Sequence, residues 1–305
     1  MHERVQLTQP RRARTSILAL AGAAMLIAAA CSGTPAGSAA PSSSGAASVA
    51  PSVAAGNTLA VEAKDFSYGL PASAQAGATH VTLTNTGKEL HQAQIARINT
   101  GSTMADVTTA LQNPDPSAAF KLVTLVGGPN SVAPGQSGSV DLKLEAGTHV
   151  FLCFIAGADN IPHLAKGMVA PLEVKEPATA GDLPAGDAQL ALQDFAFVGL
   201  DNLTAGKHTI AVTNKGPQPH EAGIIKLADG VTVPDVLAAM NSTTPPAGPP
   251  PWTDVGGIAA IATGSTTTVD VDLPAGNYAY ICFVPDPTTG KPHAQLGMIG
   301  ALTVK

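Results

Sequence analysis

The chain repeats itself at an interval of about 130 residues, and this period constrains its architecture more tightly than any other feature. Asn85-Thr86-Gly87 followed by His91 returns as Asn214-Lys215-Gly216 followed by His220. Ala146-Gly147 leading to Cys153-Phe154-Ile155 returns as Ala275-Gly276 leading to Cys282-Phe283-Val284. Pro162-His163 and Gly167-Met168 return as Pro292-His293 and Gly297-Met298. The offset is 129 at the first His and at the Cys, and 130 at the second His and the Met, so one residue has been inserted between Cys and His. A period of this length is that of a whole domain. The sequence predicts two tandem domains, 58–176 and 186–305, joined by a linker over 177–185.

The residues before the first repeat read as an export signal and a tether. Arg11-Arg12-Ala13-Arg14 precedes an apolar run from Ile17 to Ala30, short for a bilayer span and typical of a signal core. The run ends in Ala28-Ala29-Ala30-Cys31, which resembles a bacterial lipobox with Ala28 where Leu is usual. Residues 1–31 are therefore expected to be a signal with a lipobox-like end, removed up to Ala30, with Cys31 retained to carry lipid. Residues 32–57 are almost wholly Ser, Ala, Gly, Pro and Val and carry no charge, the composition of a flexible tether. Both features predict an extracytoplasmic protein on the bacterial cell surface, lipid-anchored to the membrane. Loss of the leader leaves 12 basic against 21 acidic groups, a charge of −9. That balance excludes a nucleic-acid partner and favours a basic protein partner.

Within each repeat the pattern is that of strands. His80–Thr84 and Thr209–Thr213 are β-rich runs ending at Asn-x-Gly turns. Val140, Leu142 and Leu144 alternate with polar residues, as do Val269, Val271 and Leu273, so one face of each run is buried. Tyr278 and Tyr280 share a face with Cys282. One short helix per repeat is predicted, near Thr103–Leu111 and Val233–Met240. The expected class is all-β, with one sandwich per repeat.

The chemistry-bearing residues are His91, Cys153, His163 and Met168 in the first repeat, and His220, Cys282, His293 and Met298 in the second. Nine residues separate Cys153 from His163, ten separate Cys282 from His293, and four separate each loop His from its Met. Two imidazoles, a thiolate and a thioether form a soft, mixed donor set. It suits copper in a trigonal His₂Cys site with a weak axial Met; zinc has little use for a thioether. A scaffold that holds no metal, and a Cys153–Cys282 disulfide, are the alternatives. His80, His149 and His208 have no repeated counterpart and read as surface or strand-edge residues.

These motifs resemble those of the cupredoxins, the blue (type 1) copper domains. Asn-x-Gly-x-x-x-His is similar to the plastocyanin segment that carries the first His ligand. Gly276-x-Tyr278-x-x-x-Cys282 resembles the strand leading to the Cys ligand. The long Cys–His gap and the His-x-x-x-x-Met spacing are closer to the cupredoxin domains of copper nitrite reductases. His149 departs from the pattern, standing where the second repeat has Tyr278. The resemblance covers nearly all of the chain beyond the tether. It implies two tandem Greek-key β-sandwiches and two coppers, one per domain, on the two sets of four residues.

The resemblance also bears on activity. Copper oxidases and nitrite reductases place His residues beside the Cys ligand to hold a catalytic copper. Here Cys153 lies between Leu152 and Phe154, Cys282 lies between Ile281 and Phe283, and the chain has no His-x-His. The sequence therefore predicts a non-enzymatic carrier of single electrons. An apolar docking patch is expected from Leu164, Ala165, Ala294 and Leu296, with His163 and His293 nearest the surface. Copper sequestration or delivery, and a metal-free interaction module, are the alternative functions.

Overall fold

Alternation of β-branched and polar residues produces strands throughout the computed structural model, which describes residues 56–113, 117–176, 181–242 and 248–305. The predicted signal, Cys31 and nearly all of the tether lie outside the described residues. The first repeat contributes β1 (Asn57–Lys64), β2 (Ser67–Gly69), β3 (Ala74–Gln75), β4 (Gly77–Asn85), β5 (Gln94–Ile98), β6 (Val123–Gly127), β7 (Ser137–Leu144), β8 (Gly147–Leu152) and β9 (Val169–Lys175). The second contributes β10 (Ala188–Gln193), β11 (Ala196–Val198), β12 (Asn202–Leu203), β13 (Gly206–Asn214), β14 (His220–Leu227), β15 (Trp252–Ile261), β16 (Thr266–Leu273), β17 (Gly276–Ile281) and β18 (Ile299–Val304). Helices α1 (Met104–Leu111) and α3 (Val233–Met240) fall where the sequence places them. Each begins at a capping box, Thr103 with Asp106 and Thr232 with Asp235. A further single turn, α2 (Ser117–Phe120), belongs to the first repeat and is not foreshadowed in the sequence.

The all-β expectation holds, with one difference. Neither sheet stops at the repeat boundary. One runs β11-β10-β13-β16-β7-β4-β1-β2, the other β12-β18-β17-β14-β15-β6-β5-β8-β9-β3, and both contain strands of the two repeats. The reason is edge pairing: β7 and β16 would each expose an unpaired ladder, and they satisfy each other instead.

The pairing is self-equivalent. Val140 lies opposite Val269, its own counterpart at offset 129. Pro129 bridges Ile258 in the same relation. Flanking that bridge, the Asn130 amide donates to the Gly257 carbonyl at 3.1 Å and the Ala259 amide to the Gly128 carbonyl at 2.8 Å. A local two-fold axis thus passes between the repeats. Gly128 and Gly257 are required there. Their φ angles are +131° and +116°, and a Cβ would stand 1.9 Å from the Ala93 carbonyl oxygen and 2.1 Å from that of Ala222.

One core cluster runs through both repeats, including Val81, Leu83, Val140 and Leu142 from the first and Ile210, Val212, Val269 and Leu273 from the second. Burial of each such side chain contributes about 1.5–3 kcal/mol. Gln94 ties the seam from the other sheet. Its Nε2 donates to the Ala260 carbonyl at 2.9 Å, and its Oε1 accepts from the Ala260 amide at 2.8 Å.

Candidate metal centres

The first histidine of each repeat is positioned by the Asn-x-Gly turn. Asn85 Oδ1 accepts the Gly87 amide at 2.9 Å, while its Nδ2 donates to the carbonyls of Glu89 and Val132, both at 2.8 Å. Asn214 repeats this with Gly216, Gln218 and Ile261. The glycine is steric in origin. A Cβ on Gly87 would lie 2.4 Å from Asp65 Oδ1 and 2.9 Å from His91 Nε2. At Gly216 both the Asp194 and His220 distances would be 2.7 Å.

The Cys, the second His and the Met come from one folded loop. Leu164 and Ala294 donate their amides back to the carbonyls of Cys153 and Cys282, at 2.9 and 2.8 Å. The amides of Met168 and Met298 donate to the carbonyls of His163 and His293, each at 2.9 Å. A single 3₁₀ turn holds each loop His, over His163–Lys166 and His293–Leu296. Gly167 and Gly297 end these turns in the left-handed region, with φ of 102° and 109°. The inserted residue of the second repeat is absorbed at the loop tip, beyond the Ala156–Pro162 and Pro285–Pro292 bridges.

The donors converge. His91 Nδ1 lies 3.1 Å from His163 Nδ1, and Cys153 Sγ lies 4.0 and 3.5 Å from the two. In the second repeat, His220 Nδ1 and His293 Nδ1 are 3.0 Å apart and Cys282 Sγ is 3.5 Å from His293 Nδ1. All six residues are fully buried. Donor atoms bonded to one ion at about 2.0–2.3 Å stand about 3–4 Å from each other, so the spacing fits a single ion in each centre. Met168 and Met298 are fully buried as well, and their carbonyls accept the amides of Cys153 and Cys282 at 3.3 Å. The two cysteines are free, so the disulfide alternative does not form.

The protonation pattern reinforces the fit. His91 Nε2 faces Asp65 Oδ1 at 3.1 Å, and His163 Nε2 faces Glu89 Oε2 at 2.9 Å. His220 Nε2 faces Asp194 Oδ1 at 2.6 Å, and His293 Nε2 faces Gln218 Oε1 at 3.2 Å. Each partner oxygen can only accept, so the proton sits on Nε2 and the Nδ1 lone pairs point inward. Two lone pairs about 3 Å apart repel, and a cation between them relieves that repulsion. Burial lowers the pKa of His91 and His220, and takes that of His293, with help from neighbouring His220, down to about 4. Burial also pushes the Cys153 thiol up to about 11, and Cys282 further still. A metal entering either centre therefore displaces a thiol proton.

Several sequence expectations are corrected by the structure. The loop histidines are as fully buried as the other donors, and His163 and His293 have Phe66 and Phe195 edge-on at 5.2 and 5.1 Å. Ala294 is fully buried and cannot belong to a docking patch. His149 is buried rather than superficial, because β8 is covered on both faces from that residue on, with Val150, Phe151 and Leu152 buried beside it. His80 and His208 are paired with Asp141 and Asp187, at 2.9 and 2.6 Å. The sequence reading also missed the residues that orient the donors. Asp65-Phe66 and Asp194-Phe195 stand at the same offset of 129 as the first histidines, which is the signal that identifies them.

No protein-family model matches the chain, and no curated protein matches it in sequence. Solved structures similar to it include auracyanin A, a blue copper protein from Chloroflexus aurantiacus, at 21% identity and a TM-score of 0.25, covering 39% of this chain and all of that one. A copper nitrite reductase from Nitrosomonas europaea is 15% identical with a TM-score of 0.23, over 81% of this chain and 93% of the other. A blue copper oxidase from the same organism is 16% identical with a TM-score of 0.23, over 81% and 84%. Two of these three proteins are named as enzymes, contrary to the expectation of a non-enzymatic chain: the similar structures include copper enzymes as well as a blue copper protein.

Proposed function

We propose that the chain is a tandem cupredoxin that binds two type 1 coppers and passes single electrons outside the cytoplasm. The observation that carries this reading is the buried convergence of two Nδ1 atoms and one Sγ, occurring twice with the same orienting Asp. His91, Cys153, His163 and Met168 would hold one ion, and His220, Cys282, His293 and Met298 the other. Bound copper supplies a one-electron couple. The chain supplies the rest. Asp65 and Asp194 fix the imidazole orientation, the core excludes water, and the hydrogen-bonded loop holds His and Met in register with Cys. The same reading takes residues 1–31 as a signal cleaved before Cys31 and Cys31 as the lipid anchor, with the tether spanning 32–57 and the partner a basic redox protein drawn by the −9 charge.

The test is reconstitution of the full chain with Cu(II). An intense blue colour at two coppers per chain, lost in Cys153→Ser plus Cys282→Ser and reversible in voltammetry, is the expected result. Colourless Cu(I) binding without reversible redox chemistry would assign copper storage or delivery instead. Failure to take up copper would overturn the reading.

A further inference from the structure

We propose that the cleft between the repeats binds a small organic cation, a protonated amine carried on an aromatic body. A cavity of about 450 Å³ opens there, walled by residues of both repeats. That volume lies in the ordinary range for small-molecule sites. Its apolar side carries three aromatic rings among aliphatic residues. Phe154 and Phe283 each follow a centre cysteine, and Phe120 from α2 packs against Phe154 at 6.2 Å between ring centroids. Phe283 is 48% exposed, a large apolar surface left uncovered at the mouth.

Its polar side carries two acids among neutral amides and a hydroxyl. Glu221 and Asp254 both line the cavity, and no lysine, arginine or histidine does. Glu221 is 7% exposed. Its Oε1 accepts the Phe283 amide at 2.7 Å and its Oε2 accepts Asn130 Nδ2 at 3.3 Å, across the seam. Among the described residues no cation pairs with either carboxylate. A buried carboxylate without a cation is costly, and here it faces a space large enough to admit one. The first repeat has Gln92 where the second has Glu221, so the charge is placed on one side only. An ammonium group would sit against Glu221 and Asp254, with its ring on Phe154 and Phe283.

The inference does not rest on copper, and its test uses the copper-free full chain. Calorimetric titration with phenethylamine is expected to show one site, with 2-phenylethanol binding at least about tenfold more weakly and phenylacetate not at all. Glu221→Gln is expected to remove most of the preference for the amine over the alcohol, and Asp254→Asn part of it. Phe283→Ala weakens both ligands alike. Unchanged circular dichroism and unchanged copper uptake show that each variant is folded with its centres intact. Equal affinity for amine and alcohol, an amine preference that survives Glu221→Gln, or the absence of heat with every probe would overturn the proposal. So would a concentration-dependent dimer that Phe283→Ala dissociates, which would give the cleft to a second copy of the chain.

Discussion

The two centres share their donors and differ in where they keep their negative charge. In the first, the acid is Glu89, against His163, and the amide is Gln92, beside His91. In the second, offset by 129, the amide is Gln218, against His293, and the acid is Glu221, beside His220. The acid in contact with the loop His of the first centre becomes an amide in the second, where Asp286 stands behind Gln218 at 3.3 Å, and the second centre adds a buried acid on its inter-repeat side. A second exchange accompanies it. Tyr68, whose hydroxyl donates to the Gln92 carbonyl, is replaced by Phe197, and Phe151 by Tyr280. Donor positions are held by coordination geometry, which tolerates little change. The surrounding charges tune properties without breaking the site, and duplication leaves each copy free to vary them.

The largest effect expected is loss of one centre at a time. Cys153→Ser and Cys282→Ser should each remove one bound copper and about half of the blue absorbance, since the remaining donors belong to separate repeats. Copper analysis together with visible absorption reads both. Loss of both coppers from either substitution would break the comparison, because it would mean that the centres fold as one unit.

The buried acid gives the next effect. Burial raises Glu221 from 4.5 to about 7. A carboxyl whose folded pKa is raised contributes stability that is fully present below its unfolded value and is lost as pH climbs through the folded one. This group alone should therefore make the metal-free protein less stable at pH 8 than at pH 4.5, by about 3 kcal/mol. Urea unfolding at several pH values should show that slope reduced in Glu221→Gln. Gln92→Glu should add a comparable slope from the first repeat. If neither substitution changes the slope, the two inter-repeat walls are electrostatically alike.

The donors were legible in the sequence because duplication printed them twice in one order, and the helices because their caps and lengths were local. Asp65 and Asp194 carried the same repeated signal but no local reason to be read. Their role exists only once β1 and β10 bring them against the first histidines. The burial of His149 was also available. Residues 149, 151 and 153 alternate onto one face as 278, 280 and 282 do, and the polar side chain masked the pattern. The seam was not legible. Val140 facing Val269 is a contact between repeats, and no short-range pattern records which edge strand a strand will choose.

Tyr68 provides a smaller test. Its hydroxyl lies against Cys153 and the Gln92 carbonyl, an interaction that Phe197 cannot make. Tyr68→Phe should lower the stability of the metal-free protein by about 1 kcal/mol, the usual net worth of one hydrogen bond. Phe197→Tyr should not gain it unless the second centre also offers an acceptor. Chemical denaturation of the two variants reads the difference, and equal effects would remove the hydroxyl from the list of features that distinguish the centres.

The outer acid should have the smallest effect, and the reason is screening. Glu89 Oε2 lies 2.9 Å from His163 Nε2, but the Glu89 side chain is 36% exposed. Exposed pairs are worth up to about 1 kcal/mol, which corresponds to roughly 40 mV for one electron. A carboxylate beside the imidazole favours the more positive, oxidised state. Glu89→Gln should therefore raise the reduction potential of the first centre by up to about 40 mV, and Gln218→Glu should lower that of the second by a similar amount. Both shifts should shrink in high salt, because solvent ions reach the outer edge. Voltammetry on chains carrying the single-centre Cys substitutions assigns each wave to its own repeat. A shift in the first centre that ignored salt would mean that Glu89 acts by fixing the ring of His163 and not by its charge, and the two centres would then differ in geometry as well as in electrostatics.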